Sequence, residues 1–170
     1  MDVFEAVRTV LAVREYQDKP VPPDAIRRIL DSAHLTASSR NGQPWHFVVI
    51  QDGATIRKLA TLAMSGPYMA GAPLVVGVAI EKASPYGHSD AGRAIQSMVL
   101  TAWSEGIGSN WVGYEGTLDA IAPLLGFPDD LGLIALVAFG YPVKKLGRGK
   151  KKRRPFSEVV HSERYGTPFS

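Results

Sequence analysis

Apolar residues recur at helical spacing in five stretches of the chain, and residues that start or stop helices bound these stretches. Asp2 is a candidate N-cap for the first stretch, where Phe4, Val7 and Leu11 lie on one face. Pro23 suits the first turn of the second stretch, because its missing N–H costs nothing there. The predicted helices cover residues 3–11, 23–37, 54–64, 90–105 and 117–125.

Four shorter stretches are rich in β-branched and apolar residues and predict strands. They cover residues 45–50, 73–80, 108–112 and 133–140. The second and fourth are apolar at nearly every position, which is typical of strands buried on both faces. Two helices precede the first strand, and no strand leads into the Gly-x-Gly-x-x-Gly helix start of a dinucleotide-binding fold. The pattern therefore favours an α+β layered sandwich, with residues 1–170 forming one domain.

Positive charge is concentrated near the C-terminus. The 170 residues include 19 Lys+Arg and 16 Asp+Glu, which gives a formal net charge of +3. The stretch 144–154, called the basic segment below, holds 8 of the basic residues and no acidic residue. The rest of the chain has 11 basic and 16 acidic residues, a net charge of −5. A tail at residues 155–170 follows the basic segment. The chain is thus an acidic body with one basic segment that binds an anion or stays solvated.

Several kinds of site are excluded by composition. The chain has no cysteine, so a disulfide scaffold, a cysteine zinc site and a thiol nucleophile are ruled out. No metal site is expected, because metal-ligand spacing is absent among the histidines, which are His34, His46, His88 and His161. The N-terminus lacks a signal-peptide pattern, and no apolar run reaches the ~20 residues that span a bilayer. We therefore expect a cytoplasmic protein without a membrane span.

A stretch rich in hydroxyl and amide side chains, Ser-Ser-Arg-Asn-Gly-Gln-Pro-Trp at 38–45, joins the second helix to the first strand. Such a junction can hydrogen-bond a flat polar heterocycle, and taken alone it is equally consistent with an ordinary polar loop. Other motifs are Val-Arg-Glu-Tyr at 13–16, Lys-Pro-Val-Pro at 19–22, Ala-Pro at 72–73, Glu-Gly-Ile-Gly at 105–108, Phe-Pro at 127–128, Gly-Tyr-Pro at 140–142 and Arg-Arg-Pro-Phe-Ser-Glu-Val-Val-His at 153–161. Together these motifs, which extend over nearly the whole chain, resemble those of the nitroreductase family of flavin enzymes.

The resemblance implies a specific architecture and chemistry. It implies a three-layer sandwich with a central, mainly antiparallel sheet flanked by helices, and a homodimer in which the C-terminal tails are exchanged. Each of two sites between the subunits would bind one FMN. The activity implied is an oxidoreductase in which NADH or NADPH donates a hydride through flavin N5 to a small acceptor, such as a nitroaromatic or a quinone. Because the cofactor carries that chemistry, no catalytic side chain is assigned.

The resemblance also assigns residues to the cofactor. They are Arg14, Ser38, Ser39, Asn41, Gln43, Trp111, Gly113, Lys151 and Arg153. Arg14 would contact N1 and O2 of the flavin, because its guanidinium is permanently charged and can donate to both acceptors. Its alternative is a surface ion pair with Glu15 or Asp18. Lys151 and Arg153 would hold the 5′-phosphate, and their alternative is a solvated charge run.

The remaining assignments concern the flavin ring and the substrate. Ser38, Ser39 and Asn41 would approach the flavin from the partner subunit. The backbone of Gly113 and Tyr114 would lie near N5, where a missing Cβ permits a close approach. Aromatic residues expected to stack on an acceptor are Tyr68, Tyr86, Trp111 and Tyr114.

One departure from the family pattern matters. Nitroreductases usually have Arg-Arg-Ser before the Val-x-Arg motif, whereas this chain has Val10, Leu11 and Ala12 there. Each missing charged hydrogen bond would be worth roughly 1.5–3 kcal/mol. The basic segment compensates for this loss, with Arg148 or Lys150 reaching the phosphate, or the site holds another flavin-like cofactor. The FMN-dependent oxidoreductase is the first reading of the sequence. A flavin-binding or flavin-processing protein without general reductase activity is the second.

Nucleic-acid binding by the basic segment is the third reading. It is the weakest, because the body is net acidic and the segment has no interleaved aromatic residues. The chain is also short for the family, with little sequence between Tyr114 and Thr117 to cover the flavin. The resemblance therefore implies an open site with broad substrate tolerance.

Overall fold

The computed structural model of the chain describes residues 1–113, 115–144 and 151–169. Its helices and strands follow the order α1 (Val3–Thr9), α2 (Pro23–His34), β1 (Trp45–Ile50), α3 (Gly53–Leu62), β2 (Leu74–Glu81), α4 (Gly87–Ser104), β3 (Gly108–Val112), α5 (Glu115–Ile121) and β4 (Leu131–Gly140). Short 3₁₀ turns cover Ser39–Asn41, Pro67–Gly71, Ala122–Leu125 and Phe156–Glu158.

The predicted elements all form, and their ends shift by a few residues. β1 and β3 have the predicted bounds, and β2 and β4 differ from prediction by one or two residues. Helix α1 ends at Thr9 instead of residue 11, because Ala12 pairs with Ser109 of β3 and the Val13 N–H donates to the Ser109 carbonyl. Helix α4 begins three residues before the predicted start.

The four strands form one sheet in the order β1-β2-β4-β3, and every neighbouring pair is antiparallel. The two strands predicted to be buried on both faces, β2 and β4, occupy the centre. β2 has seven consecutive buried residues, Leu74 to Ile80. The mainly antiparallel sheet implied by the family resemblance is therefore confirmed.

Helices cover both faces of this sheet. On one face, Ile29 of α2 and Met98 of α4 are fully buried, and on the other Leu59 of α3 and Ile121 of α5 are fully buried. Burying a side chain of this size contributes roughly 1.5–3 kcal/mol. The result is the expected α+β sandwich of three layers.

Helix ends follow the local chemistry of the sequence. Asp2 caps α1 as predicted, since its carboxylate accepts from the Glu5 N–H at 2.8 Å. Asp52 caps α3 in the same way, accepting from the Thr55 N–H at 2.7 Å. Gly106 ends α4 with a φ of +77°, a conformation that glycine adopts without strain.

The predicted apolar face of α1 is largely uncovered. Phe4 is 76% exposed and Val7 is 46% exposed, whereas Ala6 and Thr9 are buried. The Trp103 indole of α4 donates to the Thr9 hydroxyl at 2.9 Å, so α1 packs through a polar and small-residue face. The tail is exposed too, with Phe156, Tyr165 and Phe169 more than half accessible. We call these two regions the exposed apolar surface.

Within the described residues, no helix combines the length and apolar character required to cross a membrane.

Candidate functional site

Arg14 follows α1 in an extended stretch beside β3. Its guanidinium carbon lies 5.7 Å from the centre of the Tyr68 ring, which is a cation–π distance. The alternative ion pair with Glu15 is not formed, because Glu15 pairs with Lys144 at 3.1 Å. Among the described residues no carboxylate, including that of Asp18, pairs with Arg14. The Tyr68 hydroxyl accepts a side-chain hydrogen bond from Arg14, and the other N–H donors of the guanidinium remain for a ligand.

Two tyrosines accompany Arg14. The Tyr16 hydroxyl donates to the Val13 carbonyl at 2.8 Å. Burial raises the pKa of Tyr16, and neighbouring Tyr68 raises it further, while the Arg14 charge lowers it. Burial also raises the pKa of Tyr68, which Arg14 opposes. Both phenols therefore stay neutral near pH 7, and Arg14 supplies the charge of this cluster.

The basic pair predicted for a phosphate lines one cavity. It has a volume of about 380 Å³ and is called the basic cavity below. The lining residues are Val7, Val10, Leu11, Ala12, Gln96, Val99, Ser109, Asn110, Trp111, Lys151 and Arg153. The two cations thus stand beside Val10, Leu11 and Ala12, the positions where the family resemblance led us to expect Arg-Arg-Ser. Arg148 and Lys150, the other residues considered for this role, lie outside the described residues.

Lys151 contacts α1 and also lies close to the charge of Arg153 in this cavity. Its ammonium donates to the Val7 carbonyl in the last turn of α1 at 2.5 Å, a favourable place for a cation. Burial lowers the pKa of Lys151, and the charge of neighbouring Arg153 lowers it further. An anion placed between the two cations would relieve this repulsion.

Asn110 is a residue that the sequence did not single out. It lines the basic cavity and is 8% exposed, and its amide nitrogen has no hydrogen-bond partner among the described residues. A buried donor without a partner is costly, and such donors are rare in folded proteins. The available signal was an amide within the short strand β3, most of which is buried. The donor and the two cations fit a ligand with several acceptor oxygens, such as a phosphate ester.

A second cavity, of about 640 Å³, lies on the other side of Trp111. Its lining includes Trp111, Gly113, Lys82, His88 and Asp119. A Cβ at Gly113 would overlap the Trp111 indole nitrogen, so a larger residue there would displace the indole. This is a local reason for the glycine, in addition to the ligand approach expected from the sequence.

The tyrosines predicted to face a substrate are dispersed. Tyr68 lies against Arg14, whereas Tyr86 is 44% exposed at the start of α4. Tyr114 lies outside the described residues, so its predicted backbone contact and substrate contact are not described either.

The hydroxyl and amide loop, residues 38–43, is held by a buried carboxylate. Asp90 in the first turn of α4 is 1% exposed, accepts from the Ser39 N–H and hydroxyl at 3.1–3.2 Å, and also pairs with Arg93. Asn41 and Gln43 have positive φ values of 55° and 49°, which strain non-glycine residues. Sequence reasoning used Asp90 only as a helix start and missed this contact.

The loop does not line either cavity beside Trp111. Within one chain, Ser38, Ser39, Asn41 and Gln43 are therefore not brought into the cavities that Trp111, Gly113, Lys151 and Arg153 line. Arg14 is not brought into them either, because it lines a separate cavity of about 210 Å³. The Gln43 N–H instead donates to the Ser38 hydroxyl at 2.9 Å, which closes the loop on itself.

Comparison with known proteins identifies the family. The model of the nitroreductase family matches residues 8–76 and 64–141, which is well over half of the chain. This chain belongs to the nitroreductase family. A protein of Methanothermobacter thermautotrophicus called "Putative NADH dehydrogenase/NAD(P)H nitroreductase" is 31% identical over 154 residues, covering 86% of this nitroreductase and 81% of the relative.

Solved structures agree with this membership. A Bacteroides thetaiotaomicron protein carrying the same name has a TM-score of 0.88 at 24% identity, covering 96% of this chain and 98% of that one, and shows the fold alone. A Desulfovibrio desulfuricans structure, described as "a putative nitroreductase in complex with fmn", has a TM-score of 0.85 at 30% identity and covers 97% and 98%. The present chain is thus as long as these two neighbours, although it is shorter than other members of the family.

Proposed function

We propose that this nitroreductase is an FMN-dependent oxidoreductase that uses NADH or NADPH to reduce a small acceptor, such as a nitroaromatic or a quinone. The observation that carries the proposal is the basic cavity, where Lys151 and Arg153 stand together beside the buried Asn110 amide, which has no partner among the residues that the structure describes. The FMN of the Desulfovibrio desulfuricans structure and the NAD(P)H in the name of the archaeal relative support the choice of cofactor and donor.

The residues present fit FMN. Lys151 and Arg153 would hold the 5′-phosphate, and the in-plane donors of Arg14 would meet the N1 and O2 acceptors of the ring. FMN, when bound, supplies the hydride chemistry at N5. Trp111 and Gly113 would border the ring, because they line the larger cavity beside the basic cavity.

We also propose that the active protein is a homodimer. The exposed apolar surface supports this, since Phe4 and Val7 on α1 and Phe156 and Phe169 in the tail lack cover within one chain. Exchange of the tails would bury part of this surface. In a dimer the loop at 38–43 would complete the partner's flavin site, which explains why that loop lies outside the cavities of its own chain. Location in the cytoplasm stays a prediction from the sequence.

A flavin-binding protein without reductase activity is the second candidate. The observation that favours it is the apolar wall formed by Val10, Leu11 and Ala12, where the family usually supplies charge. Anaerobic mixing of the FMN-loaded protein with NADH or NADPH separates the two candidates. Bleaching of the yellow absorption supports the oxidoreductase, whereas a yellow protein that neither donor bleaches supports the second candidate.

The phosphate assignment is tested by titrating the apoprotein with FMN and with riboflavin, which lacks the phosphate. We expect Lys151→Ala or Arg153→Ala to weaken FMN binding by about 10- to 100-fold, as for one lost charged hydrogen bond. Riboflavin binding should stay the same. Lys152→Ala is the matched control, because Lys152 lies between them and does not line the cavity. A protein that FMN cannot saturate would refute the proposed function.

A further inference from the structure

The contact between Arg14 and Tyr68, called the Arg14–Tyr68 pair below, differs from the other arginine contacts. Arginines that pair with carboxylates in the described residues, and so engage their N–H donors, are Arg8, Arg27, Arg28 and Arg93. Arg14 instead lies over the Tyr68 ring, and its side chain also hydrogen-bonds the Tyr68 hydroxyl. The pair therefore restrains the guanidinium through the ring and the hydroxyl, and its remaining N–H donors are left for another partner.

The ring is itself held by the fold. Tyr68 belongs to the 3₁₀ turn Pro67–Gly71, in which Met69 is fully buried. Gly66 just before the turn packs closely on Val112 of β3, since a Cβ there would overlap the valine side chain. The position of the phenol is thus fixed relative to β3, the strand that also borders both cavities.

We propose that Tyr68 is a positioning residue that orients Arg14 toward the flavin, rather than a residue that stacks on the acceptor. This inference rests on the proposed function. The ring and hydroxyl of Tyr68 restrain the guanidinium, and its remaining N–H donors would meet acceptors on the pyrimidine side of a bound flavin. Because negative charge accumulates on that side when a flavin is reduced, a correctly placed Arg14 would raise the midpoint potential.

A double-mutant cycle tests the role. FMN affinity of the apoprotein and the midpoint potential of the loaded protein are measured for Tyr68→Leu, Arg14→Ala and the double variant. We expect Tyr68→Leu to weaken FMN binding about 2- to 5-fold, as for an exposed cation–π contact, and to make the potential more negative. In the Arg14→Ala background it should change neither quantity. Equal effects in both backgrounds would overturn the proposal.

Two further variants separate positioning from packing. Tyr68→Phe keeps the ring but removes the hydroxyl that hydrogen-bonds Arg14, so its affinity and potential should lie between those of the parent and those of Tyr68→Leu. Tyr141→Leu is the matched control, because it removes another cation–π contact, with the Lys19 ammonium 3.9 Å from the ring centre. It should leave both quantities unchanged. If Tyr68→Phe is as damaging as Tyr68→Leu, the ring is not what positions Arg14.

A titration without flavin tests the contact itself. The phenol pKa of Tyr68 is read as the difference between the ultraviolet titrations of the protein and its Tyr68→Phe variant. Because the Arg14 charge lowers this pKa, Arg14→Ala should raise it. An unchanged pKa would refute the contact. Because Arg14 is exposed, its replacement should leave the fold intact, and the pKa then reports on the contact alone. Failure of the parent protein to bind FMN would overturn the proposed function and the inference, whereas FMN binding without coupling would overturn the role of Tyr68 alone.

Discussion

Replacing Asp90 with asparagine should destabilise this protein far more than an ordinary surface substitution. The carboxylate is 1% exposed and accepts from the Ser39 N–H, the Ser39 hydroxyl and Arg93. Asn retains the shape but replaces one acceptor oxygen with an NH₂ group that faces these donors. The negative charge that strengthens the contacts is also lost.

The magnitude follows from the number of contacts. A hydrogen bond to a charged group contributes about 1.5–3 kcal/mol, and the half-exposed side chain of Arg93 recovers part of its loss from water. Losing one to two such bonds therefore costs about 2–4 kcal/mol. For a protein of this length that corresponds to a fall in Tm of about 5–15 °C.

Urea unfolding and thermal unfolding followed by circular dichroism measure the effect. The matched control is Asp31→Asn, which breaks the exposed pair with Arg27 on the surface of α2 and should cost less than about 1 kcal/mol. A loss for Asp90→Asn no larger than that of the control would show that the buried carboxylate does not hold the loop at 38–43.

Three other substitutions have expected outcomes. The bond from Arg28 lowers the pKa of Glu105 from its ordinary 4.5, so its contribution is present above that value and is lost as pH falls through the lowered pKa. In urea unfolding at several pH values, the parent should have a larger free energy of unfolding than Glu105→Gln near neutral pH, and this difference should disappear in acid. Gly108→Ala should cost about 1–3 kcal/mol, since its Cβ would overlap Val13, and an unchanged urea midpoint would contradict this. Asn110→Leu should leave the apoprotein as stable or more stable, because it removes a buried donor that has no partner in the described part of the chain, and a marked loss would show that the amide has a partner.

The sheet was predictable because its central strands have a simple pattern. Residues 73–80 and 133–140 are apolar on both faces, and only the middle of a layered sandwich buries both faces. The helices were less exact at their ends. α1 stops at Thr9 because Ala12, three residues further on, pairs with Ser109, a contact between distant parts of the chain that local periodicity does not contain.

The candidate site was likewise predictable only in part. Family motifs predicted Lys151 and Arg153, and the fold brings both into one cavity. Asp90 was missed because its buried contacts with Ser39 and Arg93 form only in the fold, and Asn110 because its amide nitrogen is buried without a partner among the described residues. The contact between Tyr68 and Arg14 joins residues far apart in sequence and likewise follows from the fold.

Trp111 has a further consequence as an optical reporter. Trp45 is buried in the core and the Trp103 indole is bonded to Thr9, whereas Trp111 is 46% exposed and borders both cavities. A ligand entering either cavity changes the surroundings of this one indole, and a yellow ligand also accepts its excitation energy. Intrinsic emission thus records occupancy without any label, and a Trp111→Phe variant identifies which part of the signal comes from the cavities.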